Sequence, residues 1–265
     1  MIVKVNILES LINKIATGKI EVIDLSQTLN ENTPVIQLPE PLATTGGFKL
    51  KRLSMYDEKG PTSYWNDFTA GEHCGTHFDA PIHWISGKKH DSVDTIPMKN
   101  MVGEAYVIDI RKKAKQNPYY CVTVGDILGF EEQYGRITKH SWVLIQSGWA
   151  KYADDHEQFY NIGNDGLPHT PGISKEASIF LAEERDILGV GVETVGTDAG
   201  IAGSFDPPYP NHHFMHGANK YGLAQLTALE KLPAKGAVLI ATPLKIEKGS
   251  GSPVRVIALV EKGQD

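Results

Sequence analysis

The chain has 265 residues, 41% hydrophobic and 22% charged, with a formal net charge of −6 and a pI near 5.9. This is ordinary globular composition, and the acidic balance argues against a general nucleic-acid surface. The densest basic groups, Lys88-Lys89 and Arg111-Lys112-Lys113, are short and read as solvated surface.

In chain order, Ile7, Leu8, Leu11, Ile12 and Ile15 recur at helical spacing and predict a short amphipathic helix, not a signal peptide. No run approaches the ~18 apolar residues of a membrane span. Residues 21–25 read as a strand. A Pro-, Asn-, Thr- and Gly-rich stretch over 30–48 reads as a long loop of the kind that forms lids or binding segments. The aromatic residues Tyr64, Trp65 and Phe68 follow, then GEHCGTHFDAPIHW at 71–84. Residues 105–110 and 142–146 read as buried strands. A helix is expected over 123–134, with Thr123 as cap and Gly135 as stop, and another over 174–184 capped by Ser174. Residues 187–195, 237–241 and 254–260 read as strands, while 223–232 fits a short helix or a strand and turn. The absence of repeats, low-complexity tracts and linkers points to one α/β domain over 1–265 with a mixed sheet. Two distant cysteines, Cys74 and Cys121, suit a reducing cytoplasm better than a structural disulfide.

The stretch 71–84 carries the chemistry. A helical metal pair at His73 and His77 is disfavoured, because Cys74, Gly75 and Thr76 are weak helix formers. In an extended segment His73, His77, Asp79 and His83 share one face. A straight strand from 73 to 83 would stretch about 33 Å, so the chain must bend, and Gly75 and Pro81 are where it can. Within such a bend His77 and Asp79 meet one cation and His73 folds back to it. Two imidazoles and a carboxylate suit Mn²⁺, Zn²⁺ or Fe²⁺, and so few ligands leave open positions, the mark of a catalytic site. Water bound to such an ion ionises near neutral pH. His83 is then the natural general base and acid. Cys74, of opposite parity, reads as a small core residue.

The run from His73 to His83 resembles the signature HxGTHxDxPxH of the cyclase-like metal-dependent hydrolases, with every fixed position present. The resemblance continues through DLSQTLNENTPVIQLP near the start, GTDAG at 196–200, PPYPNHHFMH at 207–216 and LPAKGAVLIATPLKIEKGSGSPVRVIALV near the end. It implies a swivelling β/β/α fold, dimers or larger homo-oligomers, a metal on His73, His77 and Asp79, and proton transfer by His83. The family includes two-zinc kynurenine formamidases, whose second ion uses a later His and a Glu. His212 fits that His, but the Glu position falls on Ala224, with the neutral Gln225 beside it. One metal per site is therefore expected, as in the isatin hydrolases of the family, with Mn²⁺ ahead of Zn²⁺.

Further candidates carry weaker signals. His212 fits a catalytic partner that holds substrate or water, or else an ordinary loop histidine beside His213 and His216. Gln225 fits a substrate or proton-path contact. Trp65 and Trp84, with Tyr64 and Phe68, fit an aromatic pocket for a flat substrate. Asp198 fits a partner that orients a site histidine, or a turn cap. The expected activity is hydrolysis of a small cyclic amide, isatin to isatinate. An arylformamidase acting on N-formylkynurenine and a dienelactone-type lactone hydrolase are the nearest alternatives. A non-catalytic metal-containing binding protein is the alternative of another class. The expected partner is a small molecule, with neither nucleic acid nor membrane.

Overall fold

The computed structural model describes residues 6–38 and 41–263. Helix α1 (Ile7–Ala16) is capped by Asn6, whose side chain accepts from the Leu8 amide at 3.0 Å, and it leads into strand β1 (Ile20–Asp24). The helix forms where the spacing places it, but its apolar face is left uncovered: Ile7 is 82% and Ile12 63% exposed. The loop over 30–48 carries no helix or strand among its described residues. After it, β2 (Lys49–Met55) and β3 (Tyr64–Thr69) pair antiparallel as a separate two-stranded sheet.

The rest of the chain alternates strands and helices. β4 (His77–Asp79) is followed by a 3-10 turn, Pro81–His83, then β5 (Val102–Asp109), α2 (Arg111–Gln116) and β6 (Cys121–Val122). Next come α3 (Val124–Tyr134), β7 (Trp142–Gln146), α4 (His156–Tyr160) and β8 (Gly172–Ile173). α5 (Lys175–Ile179) runs into a π-helical turn, Phe180–Glu184, and precedes β9 (Gly189–Val192) and α6 (Pro210–Gly217). The chain ends in β10 (Tyr221–Ala224), β11 (Ala237–Ala241), β12 (Gly251–Pro253) and β13 (Val256–Glu261). Both expected caps form: Thr123 makes a reciprocal capping box with Asp126, and Ser174 Oγ accepts from the Ala177 amide at 3.1 Å. The stretch 223–232 resolves to a strand end followed by a 3-10 turn at Leu229–Lys231.

Nine strands form one mixed sheet in the order β1-β13-β11-β5-β7-β9-β10-β4-β12. β5, β7, β9 and β10 are mutually parallel, and the flanking pairs are antiparallel. This is the expected α/β fold with a mixed sheet. Alternation along each strand separates two cores. Ala105, Val107, Trp142 and Leu144 face one core with Phe78 and Leu223, while Tyr106, Ile108, Val143 and Ile145 face Ile127, Phe130 and Leu181 from α3 and the α5 turn. Each fully buried large apolar side chain stabilises the fold by about 1.5–3 kcal/mol. Arg185, after the π-helical turn, clamps Glu131 of α3 through both carboxylate oxygens, at 2.6 and 2.7 Å. No described helix is long and apolar enough to cross a membrane, and Cys74 and Cys121 are both free thiols.

Candidate active site

Three residues, 77 to 79, form the strand at the heart of the site, and their neighbours explain why. β4 is short and buried, hydrogen-bonded to β10 on one side and β12 on the other. Gly75 enters it with φ of +63°, a left-handed conformation in which a side chain would be strained. Pro81 opens the 3-10 turn that carries His83 back over the strand. The two bends expected from the sequence are thus both present.

Asp79 is the centre of the arrangement. It is 1% exposed, and its carboxylate lies against Gly222 of β10, where an added Cβ would sit 2.7 Å from Oδ2. His73 Nδ1 lies 2.8 Å and His77 Nε2 3.3 Å from Asp79 Oδ1. His77 Nδ1 is 2.7 Å from the Gly75 carbonyl and so donates to it, leaving the Nε2 lone pair directed at Asp79. Burial pushes the Asp79 carboxyl up, but the neighbouring His77 and His73 outweigh this and hold it well below the usual carboxylate range.

The other histidines gather round this carboxylate. His83 stacks on His73, with ring centroids 3.9 Å apart, and lies 5.6 Å from His212 and 6.0 Å from His216. Burial, and after it any positive charge at the adjacent His73, hold the His83 imidazole well below its ordinary pKa, which favours its neutral form. His212, on α6, shows the opposite behaviour. Burial lowers it, but Asp198 outweighs burial, with Oδ2 2.5 Å from Nδ1, and its pKa is raised. The Asp198 carboxylate also accepts the Asn211 and His212 amides at 2.7 and 3.0 Å, pinning the first turn of α6. His212 Nε2 reaches within 4.0 Å of Asp79 Oδ2. His216 is buried, its Nδ1 bonded to the Lys220 carbonyl at 3.0 Å.

This donor set fits a divalent cation. Donor atoms of His73, Asp79 and His83 all lie within 4.8 Å of one another, as do those of Asp79, His212 and His216, and His77 joins the first group through Asp79. A buried, ionised carboxylate ringed by imidazole lone pairs needs a positive charge to offset its desolvation. Mixed nitrogen and oxygen donors are what borderline divalent ions take.

The model of the Cyclase family matches residues 23–199 of the chain. The protein belongs to the Cyclase family. Within that family, isatin hydrolase of Roseibium aggregatum is 43% identical over 252 residues, covering 94% of this chain and 95% of its own. The structure of an isatin hydrolase bound to the product analogue thioisatinate superposes with a TM-score of 0.94 at 42% identity, covering 96% of this chain and 98% of that one. Kynurenine formamidase of Sphingopyxis alaskensis is 29% identical, over 88% of this chain and 95% of its own.

Of the residues singled out from the sequence, this Cyclase-family fold brings together His73, His77, Asp79, His83, His212 and Trp84, whose ring lies 4.9 Å from that of His212. Asp198 orients His212 and caps its helix at once. Gln225 is buried beside the site with φ of +55°. Its Nε2 donates to the Pro34 carbonyl at 2.9 Å, and its Oε1 has no partner among the described residues. Trp65 stands apart. It lies on the β2–β3 hairpin, 61% exposed, and the hairpin's Tyr64 and Phe68 contact Tyr56 and Phe48 instead of the site histidines. Ala224 pairs with His77 in the sheet and offers no donor atom. The sequence reading missed Glu72 and Ser250, which bond each other, with Ser250 Oγ in turn bonded to His73 Nε2. Ser250 carries no local signal, whereas Glu72 immediately precedes the signature.

Proposed function

We propose that the chain hydrolyses the ring amide of isatin to give isatinate, with His73, His77 and Asp79 holding one divalent ion. The observation that carries this reading is the likeness, over nearly the whole chain, to an isatin hydrolase that holds thioisatinate. When bound, the ion polarises the carbonyl and lowers the pKa of water. Mn²⁺ is the ion proposed, with Zn²⁺ as the alternative, and the single-ion count is supported by the missing donor at Ala224.

The chain's own residues divide the proton chemistry between them. Environments that drive two histidines apart in pKa separate the base from the charged partner. His83, kept neutral, takes a proton from water as its oxygen bonds to the amide carbonyl carbon. His83 then gives that proton to the ring nitrogen as the C–N bond breaks. The carboxylic acid released loses its own proton to solvent. His212, whose protonated form Asp198 favours, donates from Nε2 to the oxygen on which negative charge develops. Trp84 supplies a flat wall beside it.

The same reading extends to the molecule's setting. Uncovered apolar residues on α1 and the hairpin support a homodimer or larger homo-oligomer, since patches of this kind mark contact surfaces. Two free thiols support a reducing, cytoplasmic location.

Assaying isatin, N-formylkynurenine and a dienelactone side by side, with metal analysis, tests the proposal. Ring opening of isatin at the highest kcat/KM is expected. Preference for N-formylkynurenine would make the chain an arylformamidase, and tight metal binding with no turnover of the three would favour a binding protein.

A further inference from the structure

His73 is held through both ring nitrogens. Nδ1 faces Asp79 Oδ1 at 2.8 Å, and Nε2 lies 2.9 Å from Ser250 Oγ. Ser250 is far away in sequence but arrives through the sheet. Gly251 of β12 is in register with Asp79 of β4, and the Ala80 amide donates to the Ser250 carbonyl at 2.9 Å. Glu72, the residue before His73, closes the arrangement: its Oε2 accepts from the Ser250 amide at 3.1 Å and from the Ser250 hydroxyl at 2.5 Å.

The directions of these bonds follow from the proton inventory. A serine hydroxyl has one proton. Ser250 gives it to Glu72, so its oxygen turns lone pairs toward His73 and can only accept there. His73 Nε2 therefore donates, and the ring's remaining lone pair lies on Nδ1, aimed at Asp79. His77 is locked in the opposite sense, with Nδ1 donating to the Gly75 carbonyl and Nε2 aimed at the same carboxylate oxygen. Each imidazole thus has its outward nitrogen occupied and its lone pair directed inward.

We infer that Glu72 and Ser250 are positioning residues that make Nδ1 the metal-facing atom of His73. The inference rests on His73 being a metal ligand, and it is independent of which amide the protein cleaves. Outer partners of this type fix ring orientation and raise ligand basicity, and their loss typically weakens metal affinity by 10–100-fold.

The test is Zn²⁺ affinity of the full chain by competition with a chromogenic chelator, combined with ¹⁵N NMR of the zinc-loaded protein. The NMR spectrum should show the His73 proton on Nε2. Ser250→Ala should weaken zinc binding by about 10–100-fold, and Ser250→Thr should retain the parental affinity. Glu72→Gln should also weaken it. A glutamine amide can donate to Ser250, which frees the hydroxyl proton to point at His73 and drives the ring proton onto Nδ1. Should Ser250→Ala fail to fold, Glu72→Gln and the parental spectrum still decide. A proton on Nδ1 in the parent, or parental affinity in both Ser250→Ala and Glu72→Gln, overturns the inference. A parent that binds zinc and ignores isatin would overturn only the substrate assignment.

Discussion

The rings of His73 and His83 lie stacked, 3.9 Å between centroids and 32° between planes. A positive charge on one therefore opposes protonation of the other. Burial first, and then any positive charge at His73, hold the His83 pKa well below its ordinary value and leave it able to take a proton.

Removing the His83 imidazole should separate binding from chemistry. His83→Ala is expected to keep its metal, because His73, His77 and Asp79 are untouched, and to lose about 10²–10⁴ in kcat for isatin. The depressed pKa of His83 also places the acid limb of kcat/KM below the ordinary histidine value of about 6.5. Steady-state kinetics across pH 5–8 with metal content measured alongside checks both. Parental turnover in the variant would end the assignment.

Acid stability should depend on His216. Burial, and then the charge on His212, push this imidazole down to about 4. In the unfolded chain it takes its proton near 6.5, so between about 6.5 and 4 the unfolded state binds a proton that the native state refuses. Stability is complete above that window and is lost as pH falls through it, by roughly 3 kcal/mol at about 1.4 kcal/mol per unit. Urea midpoints at several pH values should show this acid slope, and His216→Gln should flatten it. An equal slope in the variant would place the lability elsewhere.

Stripping the metal should abolish isatin turnover and lower Tm, since any ion that binds only the folded state stabilises it by mass action. Readdition of Mn²⁺ or Zn²⁺ should restore both, and the ratio of the two recovered rates identifies the working ion. Full activity after exhaustive chelation would refute the metal-dependent mechanism.

The Glu131–Arg185 pair should behave as a buried ion pair, because its side chains are only 9% and 6% exposed. Arg185→Leu leaves Glu131 without its partner and should cost about 3–5 kcal/mol in urea unfolding. Adding Glu131→Leu should recover much of that loss. A single variant as stable as the parent would show that the guanidinium contributes little.

How much of this was legible depended on how far apart the interacting residues lie. His73, His77, Asp79 and His83 could be read because their chemistry is local and Gly75 and Pro81 announce the bends. Strands such as 142–146 and 237–241 were readable as continuous apolar runs, whereas the order of strands in the sheet leaves no mark on local patterning. The β2–β3 hairpin was hidden because KLKRLSM and YWNDFT lack a clean buried alternation, both being largely exposed. The helix α6 was hidden as well, since PNHHFMHG has little intrinsic helix propensity and owes its first turn to Asp198. Trp65 looked like a pocket residue on composition alone, and its place on a separate, largely exposed hairpin could not be read from local patterning. Ser250 could not be paired with Glu72 from sequence, because the sheet brings them together across most of the chain.

β4 is flanked on both sides by strands that come much later in the chain, β10 and β12. A ribosome making this polypeptide releases the signature histidines well before the strands that wall them in. Native geometry around the imidazoles therefore waits until β10 and β12 have both been made and paired with β4.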